Sequence, residues 1–366
     1  MRVIVTGGGT GGHIYPAIAI ADKIREMEPN SEILYIGNDT GLEKDIVPKA
    51  GYDFEMVTAM WLDRSHLLKI FKTGWGVLKG TAEARRIMKR FRPDVVIGTG
   101  GYVCVPVLLA GKQYGARTYL HEQNAFPGVA NRFLERYVKH IFLGFPDAAR
   151  YFKEPEKLVE AGNPVRKSFF QLTKAEARKK LGFPQDAFIV LSFGGSLGAE
   201  KINEVAFDLM EAVNGQEKVM LIFGTGNWYY DATLEKAREK GITIRDNVLV
   251  KDYIDPMDQY LAACDVVISR AGALSVAETT VCGKAAVLIP SPNVTGNHQY
   301  YNAKAVADRG GAILIEEKDL TSEKLIEEVL RLKNHPDQLA AMSRASRACA
   351  PDRALDIIYD TIRKDL

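Results

Sequence analysis

Two glycine runs, each set where a short apolar strand gives way to a helix, constrain the fold of this chain more than any other feature. The first, Gly7-Gly8-Gly9-Thr10-Gly11-Gly12, follows Val3-Ile4-Val5 and precedes Ala17-Ile18-Ala19-Ile20. The second, Gly194-Gly195-Ser196-Leu197-Gly198, follows Phe188–Phe193 and precedes a helical stretch from Ala199. Strand, glycine loop and helix in that order turn backbone N–H groups toward an anion, and glycine permits an approach that a side chain would block. A chain that builds this unit twice is expected to hold two α/β domains of the doubly wound, Rossmann-like kind. A length of 366 residues also fits two domains better than one core.

Composition narrows the function classes. With 26% charged residues and a net charge of +2, the chain reads as a globular protein with no nucleic-acid partner. Cys104, Cys264, Cys282 and Cys349 are too scattered for a disulfide framework or a metal motif, which predicts a reducing cytoplasm and no metal site. Asp252, Asp255 and Asp258 do not change that expectation. Asp255 before Pro256 reads as a helix N-cap, and Asp258 as an acid in the first turn. The N-terminus enters a strand at once, with no signal peptide expected. The most apolar stretch, Val103 to Ala110, contains Pro106 and is far too short to span a bilayer.

Strands are expected at Arg2–Val5, Glu32–Ile36, Asp94–Ile97, Arg117–Leu120 and Leu158–Ala161. A second series follows at Phe188–Phe193, Val219–Phe223, Val248–Lys251, Val266–Ser269 and Ala285–Ile289. Helices are expected at Pro16–Met27, Val105–Tyr114 and Ile202–Ala212, with a last one from Asp352 to Lys364. Short all-apolar strands between helices predict parallel sheets covered on both faces. Gly162-Asn163-Pro164 marks the boundary, giving domains of about 1–162 and 163–349. The glycine loops at 7–12, 98–101 and 194–198 all fall at strand ends, where ligands bind in such sheets, and are expected to line one cleft.

Six strings then occur in order: Gly8-Gly9-Thr10-Gly11-Gly12-His13, Gly98-Thr99-Gly100-Gly101-Tyr102, His121-Glu122-Gln123-Asn124, Gly162-Asn163-Pro164-Val165-Arg166, Gly194-Gly195-Ser196, and Arg270-Ala271-Gly272-Ala273-Leu274-Ser275-Val276-Ala277-Glu278. On these the whole chain resembles the MurG family of N-acetylglucosaminyltransferases. The resemblance implies a GT-B fold, two Rossmann-like domains facing a cleft. It implies inverting transfer of N-acetylglucosamine from UDP-N-acetylglucosamine to the C4 hydroxyl of the muramoyl sugar of lipid I, giving lipid II, with no metal or other cofactor. It also implies work at the cytoplasmic face of the bacterial membrane, beside anionic lipids and other proteins of cell-wall synthesis and division. The N-terminal domain would take the acceptor and meet the membrane, and the C-terminal domain would bind the nucleotide sugar. The helix at about 350–366 would return to the first domain.

The resemblance places Thr10, Gly11, Gly12 and Asn124 among the donor contacts. It makes Ala273, Leu274, Ser275, Val276 and Glu278 part of the nucleotide-sugar pocket, with Glu278 on the ribose hydroxyls, Ile254 on the uracil through its backbone, and Gln299 on the sugar. His298 stands where some members carry a second glutamine. Arg166, with Ser196 and nearby N–H groups, is suited to hold the diphosphate as negative charge grows on it. Transfer to a hydroxyl calls for a base, and the sequence offers two: His13, kept neutral by a helix N-terminus, and Glu122.

Other readings compete. Gly7, Gly9 and Gly12 also match a dinucleotide fingerprint with Asp39 as its ribose acid, although this leaves His13 and the second loop unexplained. A UDP-N-acetylglucosamine 2-epimerase of the same architecture, or a nucleotide-sugar sensor, would not need a lipid-facing surface. Arg64 to Arg92 holds nine Lys/Arg and one acid, Glu83. Within it Leu67, Leu68, Phe71 and Trp75 lie at helical spacing beside Lys69, Lys72 and Lys79, which predicts a membrane contact. Arg85 to Arg92 reads instead as a solvated helix packed on the first domain.

Overall fold

The protein is described by a computed structural model covering residues 1–38, 40–60 and 67–366, the side chains of 67–73 excepted. It divides into two compact units, residues 1–165 with 351–366, and residues 166–350. The chain therefore passes between units twice.

The first unit is a seven-stranded sheet: β1 (Arg2–Thr6), β2 (Glu32–Gly37), β3 (Asp53–Met56), β4 (Val95–Gly98), β5 (Arg117–Glu122), β6 (His140–Leu143) and β7 (Leu158–Glu160). The order is β3-β2-β1-β4-β5-β6-β7, and every recorded pairing is parallel. Alternation along each strand feeds two cores. Val3, Val5, Val95, Ile97, Tyr119 and Phe142 face the helices Gly11–Met27 and Ala354–Asp365. Ile4, Val96, Leu120 and Ile141 face the helices Leu67–Phe91 and Cys104–Tyr114. In Leu67–Phe91, Ala84, Ile87 and Met88 are buried at three- and four-residue spacing, as expected for a helix packed on the sheet.

The second unit is a six-stranded sheet: β8 (Phe188–Phe193), β9 (Val219–Gly224), β10 (Val248–Lys251), β11 (Val266–Ser269), β12 (Ala285–Leu288) and β13 (Ala312–Leu314). Its order is β10-β9-β8-β11-β12-β13, also parallel in every recorded pair. A buried anchor fastens the first helix of this unit, Lys174–Leu181, below the sheet. Asp265 Oδ2 accepts from Arg178 at 2.7 Å and from the Ile189 amide at 2.8 Å.

Each sheet reverses direction once, between β1 and β4 and between β8 and β11. Beyond the carboxyl ends of those strand pairs lie the crevices where doubly wound sheets bind ligands. The C-terminal helix Ala354–Asp365 packs on the first unit. Ile358 and Ile362 enter the core shared with Val3 and Val5, Tyr359 donates to Glu28 at 3.1 Å, and Tyr119 donates to Asp365 at 2.9 Å.

Three expectations change in detail. The first helix begins at Gly11, not Pro16, so the last two glycines of the first run are its opening turn. β3, β6 and β13 add strands absent from the expected set. The helix after β10 starts at Met257 with extended Pro256 at the capping position, so Asp255 is not the N-cap, although Asp258 does lie in the first turn. Proline's fixed φ lets it occupy that extended position without distortion.

Candidate active site

The first site stands on the β1/β4 switch point. The loops after these strands interlock: the Gly8 amide donates to the Gly100 carbonyl at 3.2 Å. A Cβ at Gly101, where φ is +83°, would lie 2.4 Å from the Gly8 carbonyl oxygen, so only glycine fits there. The Gly9 amide donates to the buried carboxylate of Glu43 at 3.1 Å. Gly8 and Gly9 are thus spent on the fold. The amides that can face a ligand are those of Thr10, Gly11 and Gly12, which have no partner among the described residues and open the helix.

His13 follows in the first helical turn. Its Nδ1 lies 3.1 Å from the Thr99 carbonyl and 3.1 Å from Gln123 Oε1. Burial lowers its pKa below 6.5, against the opposing pull of Gln123, Thr99 and Glu43, so the ring is neutral at pH 7.

Glu122 is arranged quite differently. It is 1% exposed. Its Oε1 accepts from the amide of Asn124 at 2.8 Å and from that residue's side chain at 3.2 Å. Its Oε2 accepts from the Gly128 amide at 3.0 Å and from Asn131 at 2.7 Å. Burial pushes its pKa up while these donors pull it down. Four N–H groups occupy a carboxylate with about four acceptor sites, and the carboxylate folds the 122–131 loop. Strand alternation adds a second reason: Glu122 and His121 are neighbours on β5 and point to opposite faces of the sheet, with His121 on the side of His13. Asn124 sits half-buried at the start of this loop, tied to Glu122.

In the second unit, the loop after β8 presses on the loop after β9. A Cβ at Gly226, with φ +82°, would be 2.1 Å from the Gly198 amide. Ser196 is exposed at the tip of the turn. Ile254, just past β10, is buried, and its backbone N–H and C=O have no partner among the described residues. The helix Ala273–Val281 opens directly after β11 with no side-chain cap, so its first amides are available to a ligand. Burial raises Glu278, in this helix, to about 7; Arg166 opposes that rise and Asp258 adds to it. Arg166 is exposed, its guanidinium 5.2 Å from the Phe169 ring centre. Gln299 Oε1 accepts from the Ser291 amide at 2.9 Å, fixing the loop after β12. His298 opens the helix His298–Ala307, with Nδ1 2.9 Å from the Thr295 carbonyl.

Comparison with known proteins decides the family. Residues 3–143 match the glycosyltransferase family 28 N-terminal domain, and residues 189–357 match its C-terminal domain. Over 363 residues the chain is 44% identical to the UDP-N-acetylglucosamine–N-acetylmuramyl-(pentapeptide) pyrophosphoryl-undecaprenol N-acetylglucosamine transferase of Alkaliphilus oremlandii, covering 99% of this chain and 98% of that one. The chain belongs to this family of N-acetylglucosamine transferases. Crystallographic MurG of Acinetobacter baumannii aligns with a TM-score of 0.79 at 27% identity, covering 99% of both chains. A putative UDP-N-acetylglucosamine 2-epimerase from Listeria monocytogenes aligns over 100% of this chain and 96% of its own, with a TM-score of 0.72 but 16% identity, which speaks to fold alone. The transferase therefore has the GT-B architecture that the six strings implied.

Several residues that shape the transferase site carry no motif signal of their own. Glu43 pins Gly9 and also accepts from the Asn38 amide at 3.0 Å. Buried Asn302 donates to the Ala271 carbonyl at 3.1 Å and holds the turn before Ala273. Gln123 and Thr99 lie inside quoted strings, and β5 alternation was the available sign that His121 and Gln123 share a face. Asp39 and the side chains of Leu67, Leu68, Lys69, Phe71 and Lys72 lie outside the described residues. Of the basic, apolar segment, Trp75 and Leu78 are 72% and 66% exposed, and Lys79 pairs with Glu83 at 3.8 Å. No described helix is long and apolar enough to cross a membrane.

Proposed function

We propose that this chain transfers N-acetylglucosamine from UDP-N-acetylglucosamine to the C4 hydroxyl of the undecaprenyl-diphosphate-linked muramoyl pentapeptide, with inversion, and that His13 is the base. The acceptor oxygen attacks C1 of the sugar, the bond from C1 to the β-phosphate oxygen breaks, and UDP leaves with the electron pair. Nε2 of His13 takes the hydroxyl proton. The observation that carries this assignment of the base is the contrast between a neutral imidazole beside ligand-facing amides and a Glu122 carboxylate saturated by four N–H donors.

The second unit holds the nucleotide. The partnerless backbone of Ile254 suits the edge of uracil. Glu278 accepts from the ribose hydroxyls. Arg166, Ser196 and the uncapped start of Ala273–Val281 hold the diphosphate, where fixed donors stabilise the charge of the leaving group. Thr10, Gly11, Gly12, Asn124 and Gln299 contact the donor. Trp75 and its basic neighbours bring the first unit to anionic lipid on the cytoplasmic face of the membrane.

The test is turnover with the nucleotide sugar and a lipid I analogue, set beside the nucleotide sugar alone. Release of UDP only when both are present supports the transferase. Conversion of the sugar without acceptor would indicate an epimerase, and binding without turnover a sensor. His13→Ala should lower kcat by ~10²–10⁴ with donor affinity retained. A loss of only a few fold would remove His13 from the role of base.

A further inference from the structure

The protons around His13 can be placed from two backbone carbonyls. The Gly162 carbonyl oxygen lies 3.0 Å from Nε2 of His121. A carbonyl only accepts, so that nitrogen carries its hydrogen and His121 Nδ1 keeps a lone pair. Gln123 Nε2 donates to this lone pair at 2.9 Å and to the Thr99 carbonyl at 2.7 Å. The opposite amide orientation would set Oε1 against the Thr99 carbonyl, two acceptors at hydrogen-bond distance. Oε1 of Gln123 therefore faces His13. Both neighbours of His13 Nδ1, this oxygen and the Thr99 carbonyl, are acceptors, so Nδ1 carries the hydrogen. Nε2 of His13 is left with a lone pair and no partner among the described residues.

The chain of bonds is rigidly mounted. His121, on β5, and Gln123, just past its end, are buried. Asn163 donates to the Gln123 carbonyl at 2.9 Å, and the Thr99 hydroxyl donates to the backbone carbonyl of His13 at 2.7 Å. The titratable groups on the surrounding elements are Glu43 on the helix Glu43–Lys49 and the Cys104 thiol, with His121 itself. Burial pushes His121 down to about 4, so its Nδ1 goes on accepting through the neutral range.

We infer that His121 and Gln123 are positioning residues that hold His13 as the Nδ1–H tautomer and so present Nε2 to the proton it accepts. The catalytic consequence rests on the reading of His13 as the base; the tautomer does not. A neutral histidine without such partners is free to carry its hydrogen on either nitrogen.

The tautomer is read directly by two-bond 1H–15N correlation on the full-length protein with 15N-labelled histidine, the His13 signals being identified by their loss in His13→Ala. The expected pattern has hydrogen on Nδ1 of His13 and on Nε2 of His121. Hydrogen on Nε2 of His13 would overturn the inference without any variant. Gln123→Leu should populate the other tautomer of His13 and lower kcat by ~10–10² with donor KM within twofold. Gln123→Glu in its protonated form keeps both an oxygen that accepts from Nδ1–H and an O–H that donates where the amide did, so it should restore the Nδ1–H tautomer and kcat. Unchanged tautomer and kcat in Gln123→Leu would leave His121 and Gln123 as ordinary core residues. If instead the tautomer follows this pattern but His13→Ala retains activity, the base is wrong and the positioning stands.

Discussion

Acid should act on the two units through different residues. His13 must be neutral to accept a proton, and burial holds its pKa below 6.5. kcat should therefore stay level from pH 7 down past 6.5 before it falls. Glu278 must be ionised to accept from ribose hydroxyls, and burial raises it to about 7. Donor KM should therefore rise as pH falls through about 7, while kcat is still level. Glu278→Ala should raise donor KM far more than it lowers kcat, because ribose contacts are alike in ground and transition states, and should abolish the pH dependence of KM. Steady-state kinetics between pH 5.5 and 8.5, varying the nucleotide sugar, separates the two. A KM that is flat with pH would remove Glu278 from the ribose site. At this scale the strings in the sequence disclose which residues fall at strand ends, but not which carboxylate is already occupied. Glu122 and His13 look equivalent in one dimension. Only the three-dimensional return of Gly128 and Asn131 onto Glu122 separates them.

Among elements, the C-terminal helix has the clearest energetic role. Ile362 is 0% exposed, within the core it shares with Ile20, Tyr119 and Phe142. Ile362→Ala should destabilise the first unit by about 2–5 kcal/mol, through lost burial and the cavity left behind. Urea denaturation followed by tryptophan fluorescence measures it, and a shift below 1 kcal/mol would mean the helix end is loosely held. The strands β1, β4, β8 and β11 are legible because both faces are buried and each is built on an unbroken apolar run, such as Val3-Ile4-Val5 and Ile189-Val190-Leu191. β3, Asp53-Phe54-Glu55-Met56, has no such run; it lies at the sheet edge and stays half-solvated. β13 has three residues, too few for any period to register. The start of the first helix was hidden for another reason. Gly11 and Gly12 are poor helix formers, and the loop contacts of Thr99 and Tyr35 with the run fix its path where propensity would not.

For the whole molecule, the open matter is how it reaches an acceptor anchored in lipid. Trp75 and Leu78 project from a helix whose opposite side, Ala84, Ile87 and Met88, is locked in the core. Large apolar groups left in water on a helix anchored in the core, with Lys79 alongside, suit insertion among headgroups. Trp75→Glu with Leu78→Glu should weaken sedimentation with anionic vesicles and lower activity on membrane-embedded acceptor, sparing a short-chain soluble one. High salt should weaken the same binding by screening. Parental sedimentation by the double variant would place the membrane contact elsewhere.

The two passages of the chain between units also bear on how the protein is made. A Cβ on Gly162 would fall 2.3 Å from Cβ of Pro351, so the outgoing and returning segments touch within the first unit. Residues 166–350 are in effect one uninterrupted guest, spliced into a host whose helix Ala354–Asp365 is synthesised after it. During translation the guest has all its strands before the host can close its core around Ile358 and Ile362. The same adjacency makes the guest removable. Joining Val165 to Pro351 through a few glycines should yield a host that folds alone, with the near-ultraviolet circular dichroism of packed aromatic residues and a cooperative melt. A joined chain that melts without cooperativity would show that the host needs its guest in place to fold.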